Sequence, residues 1–331
     1  MSLDRFDLAR KVADAVLYEG YVLYPYRASA VKNRVRWQFG VVVPREFSEH
    51  EGHEPWAMQT ECLVESSGSA TLELTIRFLQ LQMRLIEQTD GTATGGFRPV
   101  EKLEVNERQL VSWDEGVERE IDQAEVSLSA VVAGELAIPF EIPGGEEVEL
   151  VRGAGEEAEV EGRIVRRRWP ISGVVRVSGQ ELGGAVKVRV RIENVSAWPE
   201  GAEADRNIAL RHSLLGAHTL LAVRDGAFVS LLDPPAWAVA AVASCQNQHT
   251  WPVMIGPDGA RDVMLSSPII LYDYPAIAPE SKGDLFDATE IDEILTLRIM
   301  TLTEEEKREA RGTDERARQI IERSDSMPPE M

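Results

Sequence analysis

The chain has 331 residues, 44% of them apolar, and its 56 acidic and 35 basic side chains give a formal charge of −21. That length points to two domains or one large one, with enough apolar material for a sizeable core. Such a charge disfavours general binding to nucleic-acid backbones or anionic lipid headgroups. Its ordinary consequence is solubility, and its sharper one is a docking surface for a basic partner.

Two cysteines far apart, Cys62 and Cys245, make neither a disulfide framework nor a metal knuckle, and they read as reduced thiols. The first 22 residues carry Asp4, Arg5, Asp7, Arg10, Lys11 and Asp14 among their apolar positions, so they do not form a secretory leader. No run approaches the roughly 20 apolar residues of a membrane span. The expected location is cytoplasmic, with no membrane anchor.

In chain order, the spacing of Leu8, Val12, Ala15 and Val16 predicts a short amphipathic helix over 3–17. Residues 21–26 hold Tyr21, Tyr24 and Tyr26 in an extended stretch that suits a strand or a partner-facing edge. Residues 37–43 read as a strand and 45–55 as a polar loop. Strands are expected over 58–65 and 71–88, with a turn at 66–69; Leu72, Leu74, Ile76 and Phe78 alternate with polar neighbours. The pattern continues less cleanly over 111–132.

The strongest strand signal runs over 160–195, with a hairpin connection at 179–184. There Lys187, Arg189 and Arg191 share the face opposite Val186, Val188, Val190 and Ile192. These strands together predict an antiparallel sandwich. The character changes near 198–201, dividing the chain into a β-rich part at 1–199, a mixed part at 200–283 and a helical tail at 284–331. The class is therefore α+β.

In the mixed part a helix is expected at 205–215, and Asp225-Gly226 between apolar runs signals a hairpin. Pro234 and Pro235 open a helix over 236–244, and strands follow at 251–255 and 263–272. Helices are expected at 289–301, 304–311 and 314–323, the second with capping-box spacing from Thr303 to Glu306.

Several strings could carry chemistry. His50 and His53, flanked by carboxylates, have ligand types suited to zinc or nickel, but they lack the helical spacing of a metalloprotease; a solvated loop is the alternative. Asp284, Asp287 and Glu290 supply oxygens for a hard cation, or simply complement a helix dipole. Cys245 and His249, with Asp233 upstream, contain the elements of a thiol nucleophile; a buried structural cysteine is the alternative. His212 and His218 stand among apolar residues and read as structural. The run Arg163, Arg166, Arg167, Arg168 and Trp169 could hold phosphate, or be neutralised by nearby glutamates on a strand. No phosphate loop, dinucleotide fingerprint or serine-hydrolase elbow is present. No cofactor is expected, and the cysteine count excludes a cysteine-ligated iron–sulfur cluster.

Residues 228–235, the stretch from 265 through 298, residues 18–27 and residues 59–62 resemble an uncharacterised family encoded beside high-affinity, actinobacterial-type [NiFe] hydrogenases. The resemblance spans most of the chain and is weakest over 134–159. It implies a context, the production, assembly or operation of a hydrogenase, and no reaction. The expected role is a non-catalytic accessory or interaction protein whose partners are hydrogenase subunits or maturation factors. Tyr21, Tyr24, Tyr26, Tyr272 and Tyr274 are the candidate contact residues. The alternatives are a metal- or thiol-dependent enzyme of cofactor assembly and a structural hydrogenase subunit.

Overall fold

A computed structural model describes residues 6–18, 37–91, 96–106, 108–155, 159–199, 201, 205–275, 299, 301–312, 318–319, 321–322 and 325, without the side chains at 67, 123 and 124. The chain is α+β and mainly antiparallel sheet. It opens with α1 (Asp7–Tyr18) and α2 (Arg45–Glu51). Strand β1 (Ala57–Thr89) follows, then β2 (Phe97–Val100), β3 (Lys102–Val105), β4 (Arg108–Val111) and β5 (Trp113–Ser127). Helix α3 (Leu128–Ala133) leads to β6 (Leu136–Ile142), β7 (Gly145–Arg152), β8 (Val160–Arg168), β9 (Ile171–Leu182) and β10 (Ala185–Asn194). After α4 (Arg206–Leu210) come β11 (Leu215–Val229), α5 (Val239–Ala243), β12 (Trp251–Met254), β13 (Val263–Ser267) and α6 (Glu304–Arg311).

The 33 residues of β1 organise everything else. One edge of β1 pairs in turn with β10, β5 and β2; the other pairs with β11 and then β8. Among the described residues this yields one eleven-stranded sheet and a separate β3–β4 pair. The strands expected as a sandwich are therefore hydrogen-bonded into a single sheet. That sheet curls, because Val175, Val177, Val188 and Val190 on β9 and β10 share a core with Leu72, Leu74, Ile76 and Phe78 in the later half of β1. Burying each such side chain stabilises the fold by roughly 1.5–3 kcal/mol. Helix α3 closes the same core through Leu128 and Val131.

The expected turn at 66–69 is a bulge within β1. Ser66 pairs with Gly226 and Thr71 with Arg224, so four residues of β1 stand opposite Asp225 alone. The same irregularity explains why Asp225-Gly226 does not reverse the chain. Asp225 takes φ 53°, which absorbs the bulge, and β11 continues through it. The boundary expected at 199/200 falls between β10 and β11, both of which pair with β1.

Other local differences have local causes. The stretch at 37–43 is held by one bridge, Val42 to Leu214, rather than as a strand. Trp37 and Gly40 adopt left-handed backbone there, and a side chain at Gly40 would collide with Pro268 and the backbone of Ala217. The expected loop at 45–55 contains α2, which buries Phe47 edge-on against Trp198 at 5.3 Å and ends at left-handed Gly52. In α1 the buried face is Ala9, Val12, Ala13 and Val16, while Leu8 points outward.

The hairpin at 179–184 narrows to Gly183-Gly184, both at positive φ, between paired Leu182 and Ala185. The helices expected at 205–215 and 236–244 shorten to α4 and α5. The Thr303–Glu306 capping box forms as the sequence predicts. Most of the expected helices at 289–301 and 314–323 lies outside the described residues.

Candidate functional site

Near β12 and β13 the described residues form a concave surface that includes the exposed Trp237 and the aromatic ring of Tyr274. Past the end of β11, the Ser230 hydroxyl accepts the backbone N–H groups of Leu232 (3.1 Å) and Asp233 (2.8 Å). It donates its own proton to Asp273 Oδ2 at 2.6 Å. Asp273 Oδ1 accepts the N–H of Met254 at 2.8 Å, and Tyr274 donates its N–H to the Met254 carbonyl at 2.8 Å. The Tyr274 hydroxyl donates to Ala260 O at 3.1 Å. Tyr274 itself sits at φ 59°, a left-handed conformation held by these bonds.

These contacts shape a cleft of about 530 Å³. Asp233, Pro234, Pro235 and Trp237 line it together with Met254, Asp273 and Tyr274. The Arg261–Glu65 ion pair also lines it, and Arg261 Nε is spent on the Phe228 carbonyl at 2.8 Å. Beside the cleft, Leu232, Trp237 and Val239 are 53%, 47% and 52% exposed. All three fall within residues 232–239, the segment that holds Asp233, Pro234 and Pro235 of the cleft wall. The two stretches that carry much of the sequence resemblance, 228–235 and the start of 265–298, meet here through the Ser230–Asp273 bond.

In this arrangement Ser230 braces the loop that follows β11. Asp273 is engaged on both oxygens, by the Ser230 hydroxyl and the Met254 N–H, and no histidine is among the described residues lining the cleft.

The thiol pair is placed differently. Cys245 lies under α5 beside Leu63, Ala185 and Val229, with its Sγ 3.7 Å from the Ala241 carbonyl. Burial, aided by the Glu61 carboxylate, pushes its pKa up to about 11, the opposite of an activated nucleophile. Cys62 is fully buried, and burial drives its pKa up as well. His249 is exposed at φ 61°, and no hydrogen bond joins it to Cys245 among the described residues.

Glu61, which sequence reasoning did not single out, is fully buried here. It accepts from Arg189 at 2.6 Å and from the Gln246 N–H at 2.7 Å, with Lys187 Nζ at 3.7 Å. It thereby pins the loop after α5 to the sheet. The expected shared face of Lys187 and Arg189 is what brings them to it.

His50 lies in the last turn of α2 and His53 follows Gly52, both exposed. Two of the three flanking carboxylates are engaged, Glu49 by Arg45 at 2.7 Å and Glu54 by Arg206. Among the described residues no group of three His, Cys, Asp or Glu side chains is placed to hold a metal ion. Asp284, Asp287 and Glu290 lie outside the described residues, as do Tyr21, Tyr24 and Tyr26. Tyr272 is 85% exposed and Tyr274 lines the cleft.

The arginine run is neutralised by neighbouring strands: Arg163 by Glu87, Arg166 by Glu149, Arg167 by Glu146 and Arg168 by Glu147. His212 stands between Trp169 and Trp198 at 6.4 and 5.9 Å. No helix among the described residues is long and apolar enough to cross a membrane. Comparison with protein-family models gives no match, and comparison with curated proteins gives none either.

Proposed function

We propose that this protein is a non-catalytic interaction protein that docks a partner protein in the Trp237–Tyr274 cleft. The observation that carries this reading is the exposure of Trp237, with Leu232 and Val239 in the same segment, at a cleft braced by Pro234, Pro235 and the Ser230–Asp273 bond. A half-exposed tryptophan on a rigid support is the kind of residue that anchors interfaces at low entropic cost. Following the sequence resemblance, the partner is a subunit or maturation factor of a [NiFe] hydrogenase, met in the cytoplasm.

The test is tagged purification from hydrogenase-expressing cells, comparing the wild-type chain with Trp237→Ala and Leu232→Ala. The reading requires hydrogenase subunits or maturation factors with the wild type and their loss with either variant. Recovery that is equal in all three removes docking from this cleft. One bound metal per chain without any hydrogenase partner redirects the search to an active site.

A further inference from the structure

The cleft also has a chemical preference, and this step rests on the docking reading above. Among the described residues three carboxylates line it, and two are already used. Glu65 pairs with Arg261, and Asp273 is taken by Ser230 and the Met254 N–H. Asp233 is exposed, its backbone N–H is fixed by Ser230, and its carboxylate accepts no hydrogen bond among the described residues. Trp237 lines the same cleft four residues on, beyond Pro234 and Pro235. Its ring is 47% exposed and makes no aromatic or cation–π contact among the described residues. Arg261, the one cation among the described residues lining the cleft, is neutralised by Glu65, so it offers an anion little.

We propose that the occupant of this cleft is an arginine-bearing segment of the partner, whose guanidinium stacks on Trp237 and pairs with Asp233, with an apolar neighbour on Leu232 and Val239. A planar guanidinium can stack and form directed hydrogen bonds at once, whereas an ammonium acts as a point charge. The net charge of −21 draws such a segment in.

Tetra-arginine, tetra-lysine and tetra-glutamate peptides are the probes, titrated calorimetrically against the full chain at physiological salt. Tetra-arginine binds saturably and more tightly than tetra-lysine, and tetra-glutamate does not bind. Trp237→Ala and Asp233→Asn each weaken tetra-arginine by about tenfold, a loss of about 1.4 kcal/mol. Attraction to the acidic surface as a whole would barely respond, because Asp233→Asn removes one charge of a net 21 and Trp237→Ala removes none. Equal affinity for the arginine and lysine peptides, or affinities untouched by both variants, overturns the proposal. If Trp237→Ala abolishes partner capture while tetra-arginine fails to bind, docking stands and the arginine preference falls.

Discussion

His218 offers a quantitative test of how the sheet packs. It lies on β11 directly opposite Arg77 of β1, fully buried. Its Nδ1 is 2.8 Å from the Gly216 carbonyl, which fixes the proton on Nδ1, while Nε2 has no hydrogen-bond partner. Protonation would place a second N–H where nothing accepts it, beside a guanidinium already committed to Asp14, Glu118 and Glu120. Burial first, then Arg77, push the imidazole pKa down to about 3 from the ordinary 6.5, against the opposing pull of the Gly216 carbonyl. The unfolded chain therefore takes up the proton first on acidification. The stability this group contributes is complete above pH 6.5 and drains away as pH falls towards 3.

Between pH 7 and pH 5 the linkage amounts to about 2 kcal/mol. His218→Asn keeps an amide near the Gly216 carbonyl and cannot titrate, so comparing it with the wild type cancels the carboxylates. Urea unfolding at the two pH values should show the wild type losing about 2 kcal/mol more than the variant. Parallel losses in both proteins would refute the burial argument for His218.

Other expectations follow from single contacts. Cys245, with its pKa raised from 9.0 to about 11, should react with an aromatic disulfide at pH 8 up to about a hundred-fold more slowly than a free thiol, as its thiolate fraction falls, and urea should restore the normal rate. Glu61→Gln leaves Lys187, only 13% exposed, without its buried counter-charge, while half-exposed Arg189 can rehydrate. Thermal and urea unfolding should register a loss of about 2–3 kcal/mol. A side chain at Gly173 would intrude on the Phe140 ring, so Gly173→Ala should cost about 1–3 kcal/mol and disturb the β6–β9 pairing, visible in amide exchange.

Much of the fold was legible because it depends on short-range periodicity. The alternation at Leu72, Leu74, Ile76 and Phe78 places all four in the core, and Val188, Val190 and Ile192 face the same way on β10. The Thr303–Glu306 cap needs only four residues and forms as read. Where the reading went astray, the deciding contact came from afar. Asp225-Gly226 looks like a reversal until β1 supplies the bulge opposite it. Residues 45–51 look polar until Trp198 gives Phe47 a partner.

The cleft follows the same rule. Tyr274 stood out as an aromatic, but Trp237 passed as part of a helix, and nothing within 228–239 reveals that Ser230 meets Asp273. By itself the sequence determined the α+β class, the strand-rich composition, the acidic surface and the alternating faces, because neighbouring residues settle these through backbone geometry and burial. Tertiary structure alone decided that one long strand joins both halves into a curled sheet. It also decided that the Asp233 and Trp237 side chains stand without partners among the described residues beside a braced cleft, because hydrogen bonds and packing between segments more than 40 residues apart leave no local trace in the chain.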